Sequence, residues 1–267
     1  MDIYQQIYEI KQNNLECVLC IITDTKGSSP RKAGAKMIVF PDRKIIGTIG
    51  GGSIEFQAIS DAIELLKNGS PMKKTYQLEE DLEMQCGGSV ELYFEPIKST
   101  AELYIFGAGH IGRVLAKYAK DFGFRITLFD EREGIFEEFD TSGVKTICEN
   151  YFTALEKAVF TENTYSVIVT PKHEYDKRIV GYCAKKTFAY LGMIGSNRKV
   201  AEVKKRLLEQ NILNAQEIDK IDMPIGIKFN AQTPEEIGIS ILAKLIDVKN
   251  TLNSNPSNDS LGCKAMH

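Results

Sequence analysis

The sequence predicts an α/β protein in two parts: a smaller N-terminal α/β domain followed by a domain built on a parallel sheet. Three observations predict it. From Glu102 onward, short apolar β-rich runs alternate with amphipathic helical stretches, the pattern of a parallel sheet covered by helices. Before Pro96, β-rich runs are joined by Gly-, Ser- and Pro-containing turns, with two helical stretches among them. A glycine cluster at 107–112 stands between an apolar strand and a helix, where an α/β fold would place a phosphate. The composition changes between Pro96 and Thr100, so the expected domains are 1–97 and 100–249. Residues 250–267, with their Asn, Ser and Pro, are expected to be a disordered tail.

Each element has its own local reason. Ile3, Ile7 and Ile10 sit at helical spacing, which predicts a short helix over 1–14. Residues 15–23 form a β-rich run, and Gly27-Ser28-Ser29-Pro30-Arg31 is a loop by composition. Strands are expected at Lys36–Phe40 and Lys44–Gly47, with Pro41-Asp42 turning the chain between them. After Gly50-Gly51-Gly52-Ser53, Ile54, Ala58, Ile59, Ala62, Leu65 and Leu66 follow a 3.6-residue period up to the stop Gly69-Ser70-Pro71. Strands near Lys74–Leu78 and Val90–Phe94 flank Cys86-Gly87-Gly88. The second part reads as strands at 103–106, 125–129, 166–169 and 190–194, with helices at 111–121, 152–159, 174–187 and 197–209. A last helix over 234–247 opens with Thr233-Pro234-Glu235-Glu236, a cap, a first-turn proline and two acids facing the positive helix end.

Composition narrows the function. The chain has 267 residues, 43% hydrophobic and 26% charged, and a formal net charge of −3. A chain of this length can bury ~70–75% of its unfolded surface, so core size is no obstacle. Residues 1–100 carry 11 basic and 14 acidic side chains, and the remainder carries 22 of each. Neither part is a polycation, so nucleic acid is not an expected partner. No stretch reaches the ~18 apolar residues of a membrane span. The N-terminus Met-Asp-Ile-Tyr-Gln-Gln lacks a basic region followed by an apolar run, so a cytoplasmic location with reduced cysteines is expected. Cys17 and Cys20 form a C-x-x-C on a β-run. Positions three apart on a strand point to opposite faces, which predicts structural thiols rather than a redox pair. Cys148, Cys183 and Cys263 read as core or tail residues.

The motif Gly107-Ala108-Gly109-His110-Ile111-Gly112 follows a strand, opens a helix, and is followed after a second strand by Asp130, 23 residues past Gly107. This spacing predicts a Rossmann-type domain: Gly107 for the turn, Gly109 for the approach of a pyrophosphate, Gly112 for helix–strand packing. Asp130 would accept from a ribose hydroxyl, favouring NAD or another adenine nucleotide, while Arg132 would suit a 2′-phosphate. His110 lies inside the motif. His173 lies just past the strand 166–169, at the sheet edge where such folds bind ligands. In the first part, Gly50, Gly51 and Gly52 before a helix resemble a second anion cradle, with Glu55 one turn in as a cap or a ligand acceptor. Ser28 and Arg31 offer a hydroxyl and a guanidinium to a phosphate. Cys86, flanked by glycine, is an accessible thiol of the kind that binds soft metals as a thiolate.

These blocks together resemble the xanthine dehydrogenase accessory proteins, the XdhC/CoxI family, over roughly residues 8–245. The resemblance rests on Gly27–Arg31 with Gly34 and Lys36, Gly47–Glu55, Cys86–Gly88, Phe106–Gly112, Thr170–Asp176, Gly192–Arg198, Pro224–Gly226, Ala231 and Thr233–Glu236. Lys172 and Asn230 stand where the family often has glycine. The resemblance implies a maturation factor that binds the molybdenum cofactor, helps it acquire a terminal sulfur from a cysteine desulfurase, and inserts it into a xanthine dehydrogenase-type hydroxylase. It also implies a dimer, an N-terminal cofactor-handling domain and a C-terminal Rossmann domain. In that picture Cys86 holds the metal, Ser28, Arg31 and the Gly50–Gly52 turn hold phosphate, and the 107–112 glycines hold a nucleotide portion. The alternative is an NAD(P)-dependent oxidoreductase with His173 as its acid–base group.

Overall fold

The computed structural model describes residues 2–78, 88–137 and 139–254. Cys86, Gly87, Cys263 and the rest of the expected tail beyond Ser254 lie outside the described residues. The chain divides between Ser99 and Thr100 into two compact units.

Unit 1 is a five-stranded antiparallel sheet with a helix on each face. Helix α1 (Ile3–Gln12) starts at Asp2, whose carboxylate accepts from the Tyr4 N–H at 3.0 Å. Strands β1 (Cys17–Gly27), β2 (Lys36–Val39), β3 (Ile45–Gly47), β4 (Met72–Gln77) and β5 (Gly88–Ile97) lie in the order β3-β2-β1-β5-β4. Helix α2 (Gly52–Asn68) ends on Gly69 in the left-handed conformation. The period of two along β1 assigns its residues to two cores. Val18, Cys20 and Ile22 pack with Ile54, Ala58, Ala62 and Leu65 of α2. Cys17 and Leu19 pack with Ile10 of α1 and Ile38. The C-x-x-C cysteines are therefore free, buried and on opposite faces. Burial, with Glu16 nearby, pushes the Cys17 thiol up to about 12. Strand β1 runs further than expected, to Gly27, because β5 pairs with it as far as Gly27↔Gly88.

Unit 2 is a parallel sheet covered on both faces. Its strands are β6 (Ala101–Phe106), β7 (Phe124–Asp130), β8 (Val144–Cys148), β9 (Thr164–Ile168) and β10 (Tyr190–Met193), in the order β10-β9-β6-β7-β8. In chain order within the unit this is 5-4-1-2-3, the doubly wound arrangement, and the winding reverses between β6 and β9. Helices α3 (His110–Ala119) and α8 (Pro234–Ser254) contribute Leu115, Ala116, Ile241 and Leu245 to the core of one face. Helices α4 (Tyr151–Lys157), α5 (His173–Cys183), α6 (Asn197–Glu209) and α7 (Ala215–Ile218) supply Leu155, Ile179, Val203 and Ile218 to the other.

Three expectations are corrected here. Strand β8 and helix α7 are present although the sequence pattern does not predict them. Residues 250–254 belong to α8 rather than to a tail. Cys148 is exposed, not in the core, because it ends the edge strand β8. Among the described residues, no helix is long and apolar enough to cross a membrane.

Candidate functional site

In unit 1 three separate stretches of sequence meet at one end of the sheet. Gly88 lies so close to the end of β1 that a Cβ there would sit 2.4 Å from the Lys26 carbonyl oxygen and 2.7 Å from that of Ser28. A Cβ on Gly50 would sit 2.7 Å from Pro30 Cγ and 3.6 Å from Arg31 Cγ. The loop carrying Ser28 and Arg31, the Gly50–Gly52 turn and the residue two after Cys86 are thus brought together. Ser28 and Arg31 are exposed, and the Ser29 hydroxyl donates to the Arg31 carbonyl at 2.7 Å. Among the described residues the Arg31 guanidinium makes no ion pair.

The Gly50–Gly52 turn differs from the expected anion cradle. Its three glycines have φ of 131°, 75° and 66°, a run that L side chains rarely adopt. Its Gly50 and Gly51 amides bond within the turn. Glu55 Oε2 accepts from Gly51 N–H at 3.0 Å, Ile49 N–H at 3.2 Å and Thr48 Oγ1–H at 2.7 Å. Gly50 N–H donates to Thr48 Oγ1 at 3.1 Å. Of the two roles expected for Glu55, the geometry selects the internal one: its carboxylate is the anion that this turn binds.

In unit 2 the expected residues line the C-terminal edge of the sheet at the point where the winding reverses. Gly107 follows β6 and lies against the chain leaving β9, where its Cβ would meet Val169 O at 2.5 Å. A Cβ on Gly112 would lie 1.9 Å from Gly107 O. Both glycines are required by packing. Gly109 is not: a Cβ there meets nothing within 4 Å. It caps α3 without any side-chain hydrogen bond, and His110, which opens the helix, is exposed. The start of a helix is where α/β folds place a phosphate. His173 opens α5 on the adjacent loop.

Asp130 does not fit the ribose role. Its side chain is fully buried. Oδ2 accepts from Ala108 N–H at 2.7 Å and Arg132 Nη2 at 2.8 Å. Oδ1 accepts from Arg132 N–H at 3.0 Å and Nε at 2.9 Å. Burial opposes its charge, but the Arg132 side chain and the two amides outweigh it and hold the carboxyl below its ordinary range.

Two residues that sequence reasoning missed stand nearby. Asp176 of α5 is fully buried and accepts from Thr170 Oγ1 at 2.6 Å and from Lys199 Nζ of α6 at 2.5 Å. Lys199, with Lys177, Ser196 and Arg198, lines an open cleft of about 730 Å³ between α5 and α6. The signal was present, since both partners fall in or beside the blocks Thr170–Asp176 and Gly192–Arg198. Only the fold shows that those blocks touch. Among the described residues, no group of three or more His, Cys, Asp or Glu is placed to hold a metal.

Residues 11–77 match the XdhC and CoxI family, and residues 103–245, more than half of the chain, match the XdhC Rossmann domain. The chain belongs to the XdhC/CoxI family. It is similar to YqeB, an uncharacterized protein of Escherichia coli K12, with 29% identity over 94% of this chain and 47% of that protein. A probable xanthine dehydrogenase subunit of Bacillus subtilis is 25% identical over 60% of this chain and 47% of its own length. PaoD of Escherichia coli K12, a molybdenum cofactor insertion chaperone, is 28% identical over 32% of this chain and 28% of its own length. The chain thus spans about half the length, or less, of these curated relatives. Its fold is shared with the crystal structure of a xanthine dehydrogenase from Bacillus halodurans, with a TM-score of 0.51 at 20% identity over 96% of this chain and 98% of that one. In this XdhC/CoxI protein the two notable regions are the unit 1 cluster at Gly88 and the glycine edge of unit 2.

Proposed function

We propose that this chain is a maturation factor for a molybdenum hydroxylase of the xanthine dehydrogenase type. It binds the molybdenum cofactor as cargo, supports its sulfuration and delivers it to the apoenzyme. The observation that carries this reading is the meeting of Ser28, Arg31 and Gly50 with Gly88, two residues from Cys86, at one end of unit 1. A family relative named as an insertion chaperone supports it. The cargo is a phosphorylated pterin whose metal is sulfur-ligated. Arg31 and Ser28 would hold its phosphate, and Cys86, as a thiolate, would hold or shield its metal. The Gly50–Gly52 turn shapes this corner, since its Gly50 and Gly51 amides already bond to Thr48 and Glu55. A cysteine desulfurase as sulfur source, a hydroxylase as recipient, a homodimer and a cytoplasmic location belong to the same proposal.

The oxidoreductase reading is weaker. The open space at Gly109 favours it, but the engagement of Asp130 by Arg132 opposes a site that reads a ribose diol, as NAD requires.

Co-purification tests the leading reading. The chain is expressed in cells that make molybdenum cofactor, and molybdenum and pterin are measured per chain. We expect near-stoichiometric amounts, lost in Cys86→Ser with its unfolding midpoint unchanged. Equal loading of the variant would remove Cys86 from the site. Absence of both from the native protein would remove the chaperone reading.

A further inference from the structure

We infer that Arg132 decides what the nucleotide edge of unit 2 accepts: its guanidinium withholds Asp130 from ribose, so this edge rejects adenine nucleotides that bind through a ribose diol. The inference goes beyond the proposed chaperone role and does not depend on it. In a doubly wound fold, the acid ending the second strand accepts the ribose hydroxyls, about 20 residues after the first glycine of the motif. Asp130 has that place at the end of β7. A carboxylate offers about four acceptor positions. Here each oxygen already takes two N–H donors, at 2.7 to 3.0 Å. Two of the four come from one arginine fork, the bidentate geometry that binds a carboxylate best. The carboxylate is fully buried, while the Arg132 side chain remains 44% exposed. An arriving ribose therefore meets the guanidinium and not the acid. To reach the acid it must break a charge-assisted pair and replace it with neutral hydroxyls, an exchange that costs more than it returns.

The same geometry distinguishes the phosphate of a nucleotide from its ribose. The open space above Gly109 and the uncapped start of α3 leave room for a phosphate. The discrimination lies in the ribose alone, and in one side chain.

The test is calorimetric titration of the full chain with NAD⁺ and, separately, AMP. The wild type is expected to show no binding up to about 1 mM of either. Arg132→Ala frees two acceptor positions, and binding of both probes is expected to strengthen by at least about tenfold. The double variant Asp130→Asn/Arg132→Ala is expected to lose that gain. Circular dichroism checks that each variant is folded. If Arg132→Ala does not fold, Arg132→Lys decides, because lysine keeps the charge but lacks the fork, and a smaller gain is expected. Wild-type binding of NAD⁺ that Asp130→Asn abolishes would overturn the inference. So would a folded Arg132 variant that gains nothing, or a gain that persists in the double variant.

Discussion

The three glycines of the 107–112 motif are alike in sequence and unlike in what they do. Gly112 has no room for a methyl group, since its Cβ would lie 1.9 Å from the Gly107 carbonyl oxygen, backbone against backbone. Gly109 has room, and its φ of −70° is one that any residue adopts. Gly112→Ala is therefore expected to cost about 2 kcal/mol or more, as overpacking does. Gly109→Ala should cost less, about 0.5–1 kcal/mol, from replacing a tolerated N-cap residue with a poor one. Urea denaturation of the two variants checks both. The three roles were legible from the motif, but the clearances were not, because Gly112 is closed by the Gly107 carbonyl and Gly107 by the chain leaving β9 at Val169. Glu55 is a similar case. Its place one turn into α2 was legible, whereas its partners are fixed by the left-handed φ values of the turn before it.

Among elements, the join between α5 and α6 rests on a buried charge pair. Asp176 is fully buried and Lys199 is 14% exposed. Removing one partner strands the other in a low-dielectric setting. Lys199→Met is expected to destabilise the protein by about 3–5 kcal/mol, and Asp176→Leu/Lys199→Met by less than the single change. A double-mutant cycle on unfolding free energies checks this. Elements with strong periodicity, α2 and α3 among them, are legible in kind from the sequence. Those missed have short or ambiguous signals. Strand β8 has five residues and a mostly unburied pattern at the sheet edge, and α7 is a single turn held by the Asn214–Glu217 capping box. The extension of α8 past its predicted end has a tertiary cause. Lys249 donates to the Phe122 carbonyl and sits 4.7 Å over the Phe124 ring, contacts that override the helix-averse Asn and Ser that follow.

For the molecule as a whole, the parallel unit's acid stability depends on the carboxylate that also shapes its glycine loop. The Asp130 pKa is depressed in the fold, and an unfolded aspartate titrates near about 3.9. The contribution is thus complete at neutral pH. It is lost as pH falls below about 4 and through the lower folded value, because the unfolded chain takes up the proton first. We expect unfolding free energy to fall steeply over this acid range, with a shallower acid limb and lower neutral stability in Asp130→Asn, measured by urea titration from about pH 3 to 7. The change from antiparallel to parallel pairing falls between Ser99 and Thr100. In unit 1, the Glu55 carboxylate gives the glycine turn an internal counter-ion, so its shape does not wait on a guest. A ligand held at Ser28 and Arg31, as proposed above, would meet a preorganised wall and forfeit little entropy in ordering it.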